Sequence, residues 1–162
     1  MKTYRSLKTK TFFGLLFFLS LLWMLPLSLQ SSDQTITRHS AKQDEVTIRG
    51  QSIPYSATVG SIVLSDSEGN PTADMFYTEY RRRDVEDKSG RPILFAWNGG
   101  PVAASVWLHL GVLGPRRIAT DAFGKIVPPY DLVDNENSPL DRTDIVLIDP
   151  VGTGFSKASG SG

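Results

Sequence analysis

The sequence contains no cysteine, and only two histidines, His39 and His109, occur among its 162 residues. Without cysteine there are no disulfides, no thiolate metal ligands and no cysteine nucleophile. Two histidines without clustered partners offer little from which to build a zinc or iron site. We therefore expect neither redox chemistry nor a metal, and no motif indicates an organic cofactor.

An excess of charge of one sign is also missing, because 17 basic side chains balance 17 acidic ones. This balance excludes an acidic disordered tail and a strongly basic nucleic-acid surface. Two short basic runs, at 81–83 and 116–117, are typical of solvated faces or ion-pair partners. We expect a globular protein without a nucleic-acid partner.

The first 30 residues have the composition of a targeting segment. Residues 1–10 carry four basic residues and no acid, an uncharged apolar run extends from Phe12 to Leu25, and Pro26 and a polar stretch follow. This is the order of the segments of a secretory signal peptide. A membrane-spanning helix needs about twenty apolar residues, and Pro26 interrupts this run.

These features predict an exported protein, periplasmic or extracellular. Residues 1–30 are a cleaved signal peptide or an uncleaved N-terminal anchor, and a membrane is a partner only in the second case. Residues 31–43 are polar and have no apolar period, so we expect a linker there. Residues 44–162 form the folded part, which begins near Glu45.

The folded part begins with a pattern of antiparallel strands. Apolar and polar residues alternate between Val46 and Leu64, and again between Ala73 and Tyr80. The segment 66–71, DSEGNP, lies between them and is dense in turn residues. We expect half-exposed strands on both sides of this turn.

Two continuous apolar runs follow, at 92–97 and 145–148. Such runs are typical of strands covered on both faces, and the segment between them is long enough for a crossover between parallel strands. Within it, residues 103–112 have helical spacing and Gly114 and Pro115 end the helix, while 121–141 is rich in turn residues and predicts a loop. The fold class is therefore α/β.

The turn after the first apolar run is a candidate binding site. Asn98, Gly99, Gly100 and Pro101 follow Trp97 directly and precede the predicted helix. Free backbone N–H groups at the carboxyl end of a central strand are where α/β sheets bind anionic groups, and paired glycines let a ligand approach. The alternative is that these residues form only a tight turn.

Several ordered motifs stand in this chain: RPILFAWNGGP at 91–101, SVWLHLG at 105–111, LGPRR at 113–117 and IDPVGTGFS at 148–156, with IPYSA at 53–57 and ADMFY at 73–77 before them. Together they resemble the serine carboxypeptidase family, in its bacterial branch. The resemblance implies an α/β-hydrolase fold and a Ser-His-Asp mechanism that removes residues from the carboxyl ends of peptides. It makes a peptide the expected partner.

The resemblance also implies roles for residues of the turn. Gly100, with Gly99, would supply oxyanion-hole N–H groups, and Asn98 would hydrogen-bond the free carboxylate of the substrate. Both roles concern binding, because the family's nucleophile stands in a Gly-x-Ser-x-Gly turn that is absent from these 162 residues. We expect the catalytic serine, aspartate and histidine beyond Gly162, so the chain is the incomplete N-terminal part of the fold and has no peptidase activity alone.

The sequence departs from the family at two places. Val102, Ala103 and Ala104 stand where the family continues with glycine and small hydroxyl residues, and a branched side chain at this point is expected to crowd the oxyanion site. Val112 stands where many eukaryotic members have a glutamate that shares a proton with another acid. The acid-pH preference linked to that pair therefore does not transfer to this chain.

Other functions also fit parts of this sequence. A non-catalytic exported peptide-binding protein, or a degraded remnant, is the alternative, and the coding sequence after codon 162 would separate them from the enzyme. Ser105 and His109, four residues apart, suggest a serine-histidine pair, but no acid is placed to orient the ring, and His109 is more simply a packing or hydrogen-bonded residue. Residues 152–157 lack the spacing of a phosphate-binding loop.

Overall fold

The computed structural model describes residues 35–99 and 103–159. Its strands are β1 (Ile36–Ile48), β2 (Gln51–Ser65), β3 (Pro71–Arg82), β4 (Ile93–Ala96), β5 (Arg116–Ile118), β6 (Leu132–Asp134), β7 (Asp144–Ile148) and β8 (Lys157–Ala158). Its helical segments are α1 (Val106–Leu108), a π-helical turn (His109–Leu113) that follows directly, and a 3-10 turn (Pro139–Asp141). The targeting segment, Gly100, Pro101 and Val102 lie outside the described residues.

One mixed sheet contains most of the strands. Its order is β1-β2-β3-β7-β4, and β8 pairs with the first part of β3. Neighbouring strands are antiparallel except β4 and β7, which are parallel. The predicted crossover between parallel strands is therefore confirmed, and it contains the helical turns and a small antiparallel pair, β5 with β6.

The predicted antiparallel strands are also confirmed. Arg49 and Gly50 join β1 to β2 with φ values of 48° and 77°, as a two-residue hairpin turn of the I′ type requires. The turn between β2 and β3 is held by the Asp66 carboxylate, which accepts hydrogen bonds from the backbone N–H groups of Glu68 and Asn70, each at 2.9 Å. These bonds hold the pKa of Asp66 below its usual value.

The folded part begins earlier than we expected. β1 starts at Ile36, so the prediction of a polar linker is wrong for residues 36–43. These residues pair with β2 through their backbone, while their side chains are almost all exposed. An outer strand whose side chains face water needs no apolar period, and for this reason no periodic pattern marks it in the sequence.

The prediction that both apolar runs are covered on both faces is wrong for β4. Ile93 and Phe95 are 48% and 56% exposed, and in the part of the chain that the structure describes β4 has a neighbour on one side only. β7 meets the prediction better, because it lies between β3 and β4 and its Ile145 and Leu147 are buried. Position in the sheet, rather than composition, separates the two strands.

The crossover differs from its prediction in detail. The helix expected over 103–112 begins at Val106 and winds as a π-helix from His109, because the Gly114 N–H donates to the His109 carbonyl at 3.0 Å. The segment 121–141, expected to be a loop, also contains β6 and the 3-10 turn. The buried Asn135 amide donates to the carbonyls of Val112 and Gly114, at 2.8 Å each, and so satisfies the end of the helix.

The core lies between the sheet and the crossover. The buried residues that contact one another there are Val46, Ile48, Ile53, Tyr55, Tyr80, Leu140, Ile145 and Leu147. The basic runs take part in ion pairs, as expected: Arg82 pairs with Asp84 at 2.6 Å and Arg116 with Asp134 at 2.7 Å. The side chain of Arg91 is nearly buried and binds Asp144 at 2.7 Å, next to the beginning of β4.

Gly60 is the position where this sheet tolerates a side chain least. A Cβ placed there would lie 2.4 Å from the Thr37 carbonyl oxygen and 2.6 Å from the Tyr77 hydroxyl. Gly60→Ala is therefore expected to lower the free energy of unfolding by roughly 1–3 kcal/mol, because the backbone of β1 must move. Urea unfolding measures this, and Gly111→Ala is the control, since a Cβ there meets nothing within 4 Å. An equal loss in both variants would contradict the packing of Gly60.

Candidate functional site

The site is built where β4 and β7 end. Ala96 of β4 pairs with Leu147 of β7, so the register, continued by two residues, brings Asn98 level with Asp149. Parallel strands end at the same edge of a sheet, which is why two segments distant in sequence meet here. The turn that begins at Asn98 and the turn that begins at Asp149 form this edge.

Asn98 is half-buried, and a hydrogen bond from its backbone N–H holds it in place. Its N–H donates to the Ser105 hydroxyl at 3.2 Å, while its side chain makes no hydrogen bond within the described part of the chain. Gly99 is exposed, and a Cβ there would meet no described atom within 4 Å. Among the described residues, neither the side-chain amide of Asn98 nor the space over Gly99 is therefore occupied by a protein group. The third predicted site residue, Gly100, lies outside the described residues.

Ser105 joins the two turns. Only 3% of its surface is exposed, and its hydroxyl donates to the Ile148 carbonyl while it accepts from the Asn98 N–H. Its own N–H donates to the Asp149 carboxylate at 2.9 Å. A buried serine with its donors and acceptor all used holds one geometry.

The Asp149 carboxylate has a second partner. Its other oxygen accepts from the Phe155 N–H at 3.2 Å, which closes the turn of residues 149–156. Within that turn the Ser156 hydroxyl donates to the Asp149 carbonyl at 2.7 Å and accepts from the Phe76 N–H on β3 at 2.7 Å. Gly154, with φ of 52°, lets the carboxylate approach, since a Cβ there would lie 2.0 Å from it.

His109 is hydrogen-bonded in the interior, as the simpler interpretation of it predicts. Its Nε2 bonds the Tyr80 hydroxyl, and the two rings lie 5.5 Å apart. Burial lowers the pKa of His109, and the nearby negative charge of Asp149 opposes that shift. Burial likewise raises the pKa of Tyr80, so this hydroxyl stays protonated. The suggested pair of Ser105 and His109 side chains does not form.

Two cavities adjoin the helical turn. One, of about 270 Å³, lies between the turn and the sheet, and its lining includes Ser105, His109, Asp149 and Phe155. The other, of about 430 Å³, also borders Val106, and its lining is mainly apolar apart from Arg117 and Thr120. Both have side chains of the Ser105 to Gly111 helical segment in their walls.

The structure therefore brings the predicted Asn98 together with two residues to which the sequence assigned no site role, Ser105 and Asp149. Both stand inside the motifs that carry the resemblance, and that is the signal that could have found them. Residues 35–99 and 103–159 hold no group of three or more histidine, aspartate or glutamate side chains placed to bind a metal. They also contain no helix of the length and apolarity that crossing a membrane requires.

Comparison with known proteins points to carboxypeptidases. The pheromone-processing carboxypeptidase KEX1 of Saccharomyces cerevisiae strain JAY291 is 33% identical over 93 residues, which are 57% of this chain and 12% of that protein. Its counterpart in strain S288c is 32% identical over the same share of both chains. This chain is homologous to a carboxypeptidase over that region, and the aligned region is only a small part of the relative's length. No protein-family model matches the chain.

A solved structure is also similar. The crystal structure of the prohormone-processing carboxypeptidase Kex1Δp of S. cerevisiae is 28% identical and has a TM-score of 0.49. The match covers 62% of this chain and 20% of that one. These relatives are yeast proteins, and membership of a bacterial branch stays a prediction.

Burial of His109 predicts a pH dependence of stability. Burial disfavours the protonated ring in the fold and lowers its pKa, whereas a histidine in the unfolded chain gains a proton near pH 6.5. The unfolded state therefore binds more protons below that pH, and the free energy of unfolding should decrease as the pH falls from about 6.5 towards 5. Urea unfolding at several pH values measures the slope, which His109→Gln should flatten.

The control for this experiment is His39→Gln, which removes the other histidine, on the outer strand β1. The aspartates with lowered pKa values, such as Asp66 and Asp84, titrate below this pH range and therefore do not contribute to the slope measured there. A slope unchanged in His109→Gln, or flattened equally in His39→Gln, would show that His109 is not the group responsible.

Proposed function

We propose that this chain carries the substrate-binding part of a serine carboxypeptidase-like hydrolase with an α/β-hydrolase fold. In this proposal Asn98 binds the terminal carboxylate of a peptide, and the amides of Gly99 and Gly100 face the oxyanion. The catalytic serine, aspartate and histidine lie beyond residue 162. The observation that carries the proposal is the position of Asn98 at the carboxyl end of a strand, in a chain that is homologous to a carboxypeptidase over 93 residues.

The chemistry of the Asn98 side chain fits a carboxylate. Its NH₂ group is a donor without a protein partner in the described part of the chain, and its backbone is fixed by Ser105. A hydrogen bond to an ionised carboxylate is stronger than one to a neutral amide. A site built on such a donor rejects ligands that lack the charge, so it would select peptide ends over interior peptide bonds.

The open space over Gly99 fits the second part of the proposal. A scissile carbonyl must approach backbone N–H groups closely for them to stabilise the developing negative charge. A side chain at this position would occupy the path of approach. Within the part of the chain that the structure describes, Gly99 leaves that path clear.

We further propose that the protein acts outside the cytoplasm. The order of basic, apolar and polar segments in residues 1–30 supports export, with the segment either cleaved or retained as an anchor. A peptide is then the substrate that the protein meets in the periplasm or the extracellular space.

Carboxylate recognition is tested by comparing two ligands. The full chain should bind a short peptide with a free terminal carboxylate about 10- to 100-fold more tightly than the same peptide with a terminal amide, which is the effect of a hydrogen bond to a charged group. Isothermal titration calorimetry measures both affinities. Asn98→Ala should abolish the preference, because it weakens binding of the peptide acid and leaves binding of the peptide amide unchanged.

Asn137→Ala is the matched control for this experiment, because it removes an exposed asparagine side chain elsewhere on the chain. It should keep the wild-type preference. Equal affinity of the wild-type chain for the acid and the amide would contradict the role of Asn98.

A separate measurement addresses catalysis. Because the proposed nucleophile is not among these residues, the 162-residue chain should remain unlabelled by a serine-phosphonylating probe and should not cleave a blocked dipeptide. Intact mass spectrometry after incubation with the probe detects a single added group. Labelling of any serine in this chain would overturn the assignment of the nucleophile to a position beyond residue 162.

A further inference from the structure

The contacts of Ser105 and Asp149 bear on how Asn98 is held. We call this pair the clamp. Its hydrogen bonds run from the Asn98 N–H to the Ser105 hydroxyl, from that hydroxyl to the Ile148 carbonyl, and from the Ser105 N–H to the Asp149 carboxylate. Through these bonds the residue that follows β4 is connected to the end of β7 by side chains as well as by the strand register.

The clamp matters because β4 itself is short and only half covered. The strand ends at Ala96, and Trp97, the next residue, is 60% exposed. Packing therefore does little to fix the chain as it leaves the sheet at Asn98. The hydroxyl of a buried serine, itself held by two other groups, supplies the missing constraint.

Asp149 contributes the charged half of the clamp. A carboxylate that accepts two backbone N–H groups makes stronger hydrogen bonds than a neutral acceptor. One of these N–H groups belongs to Ser105 and the other to Phe155, so the carboxylate bridges the two turns. The missing side chain of Gly154 makes room for it, and this ties the glycine of the 149–156 turn to the position of Asn98.

We infer that Ser105 and Asp149 are positioning residues for peptide-carboxylate binding: they set the backbone of Asn98 so that its side-chain amide points at the ligand. This inference rests on the proposed function. Neither residue touches the ligand, and the effect of each passes through the Asn98 N–H or through the peptide group of Ser105.

The chain offers a matched serine for the test. Ser156 is as buried as Ser105, at 3% exposure, and its hydroxyl also accepts one backbone N–H and donates to one backbone carbonyl. Its partners are the Phe76 N–H and the backbone carbonyl of Asp149, and it makes no bond to the Asp149 carboxylate, to Asn98 or to Ser105. Each of the variants Ser105→Ala and Ser156→Ala therefore removes one accepted and one donated hydrogen bond of the hydroxyl, but only Ser105→Ala removes bonds of the clamp, in which Asp149 acts through its carboxylate.

The experiment measures hydrogen exchange at the Asn98 amide and the affinity for the carboxylate-terminated peptide in the full chain. In the wild-type chain the Asn98 amide should exchange at least tenfold more slowly than an unprotected amide. Ser105→Ala should remove this protection and lower the affinity for the peptide by roughly tenfold. Ser156→Ala should shift the urea midpoint by a similar amount. It should leave the exchange protection at Asn98 and the affinity for the peptide unchanged. Ser105→Thr, which keeps the hydroxyl, should recover part of the affinity.

The outcomes separate the two levels of the proposal. Unprotected exchange at Asn98 in the wild-type chain would overturn the clamp whether or not any variant folds. Equal weakening of peptide binding by Ser105→Ala and Ser156→Ala would show that Ser105 contributes only to general stability. That result would also overturn the clamp. If the wild-type chain binds the peptide acid and the peptide amide equally while the exchange results are as expected, the proposed function fails. The part of the inference that concerns the ligand then fails with it.

Discussion

The parallel pairing of β4 with β7 is the constraint on which the rest of the site depends. It is the one parallel contact among the strands of the described residues, and it brings together two turns that lie about fifty positions apart in sequence. Antiparallel neighbours would have placed the two carboxyl ends at opposite edges of the sheet. The asparagine after one strand and the aspartate after the other could then not have shared a serine.

The sequence predicted the sheet where burial leaves a pattern. Alternation in β2 and β3, the turn at 66–71 and the buried run of β7 were all recognisable because one or both faces of these strands are covered. β1 was missed over 36–43 because its side chains face water and its stability comes from backbone pairing. β4 was assigned the wrong environment, since an apolar run predicts a strand without specifying how many neighbours it has.

The roles of the site residues stay predictions. The sequence points to Asn98, Gly99 and Gly100 because free backbone N–H groups at the carboxyl end of a strand suit anionic ligands, and because the surrounding motif resembles a known family. In the sequence, Asp149 stands out only as part of a motif, and Ser105 only as part of a motif and as a possible partner of His109. Their contact joins residues 44 positions apart, and such a contact becomes visible only once the strand register is known.

The two outer strands of the described sheet differ in what their free edges present. β1 has an irregular register between Arg38 and Ser40 and exposed polar side chains along its first half, features that discourage edge-to-edge association. β4 has neither, and it displays Ile93 and Phe95 to solvent. Within the described residues, the free edge of β4 is therefore the one that offers a template for a further strand.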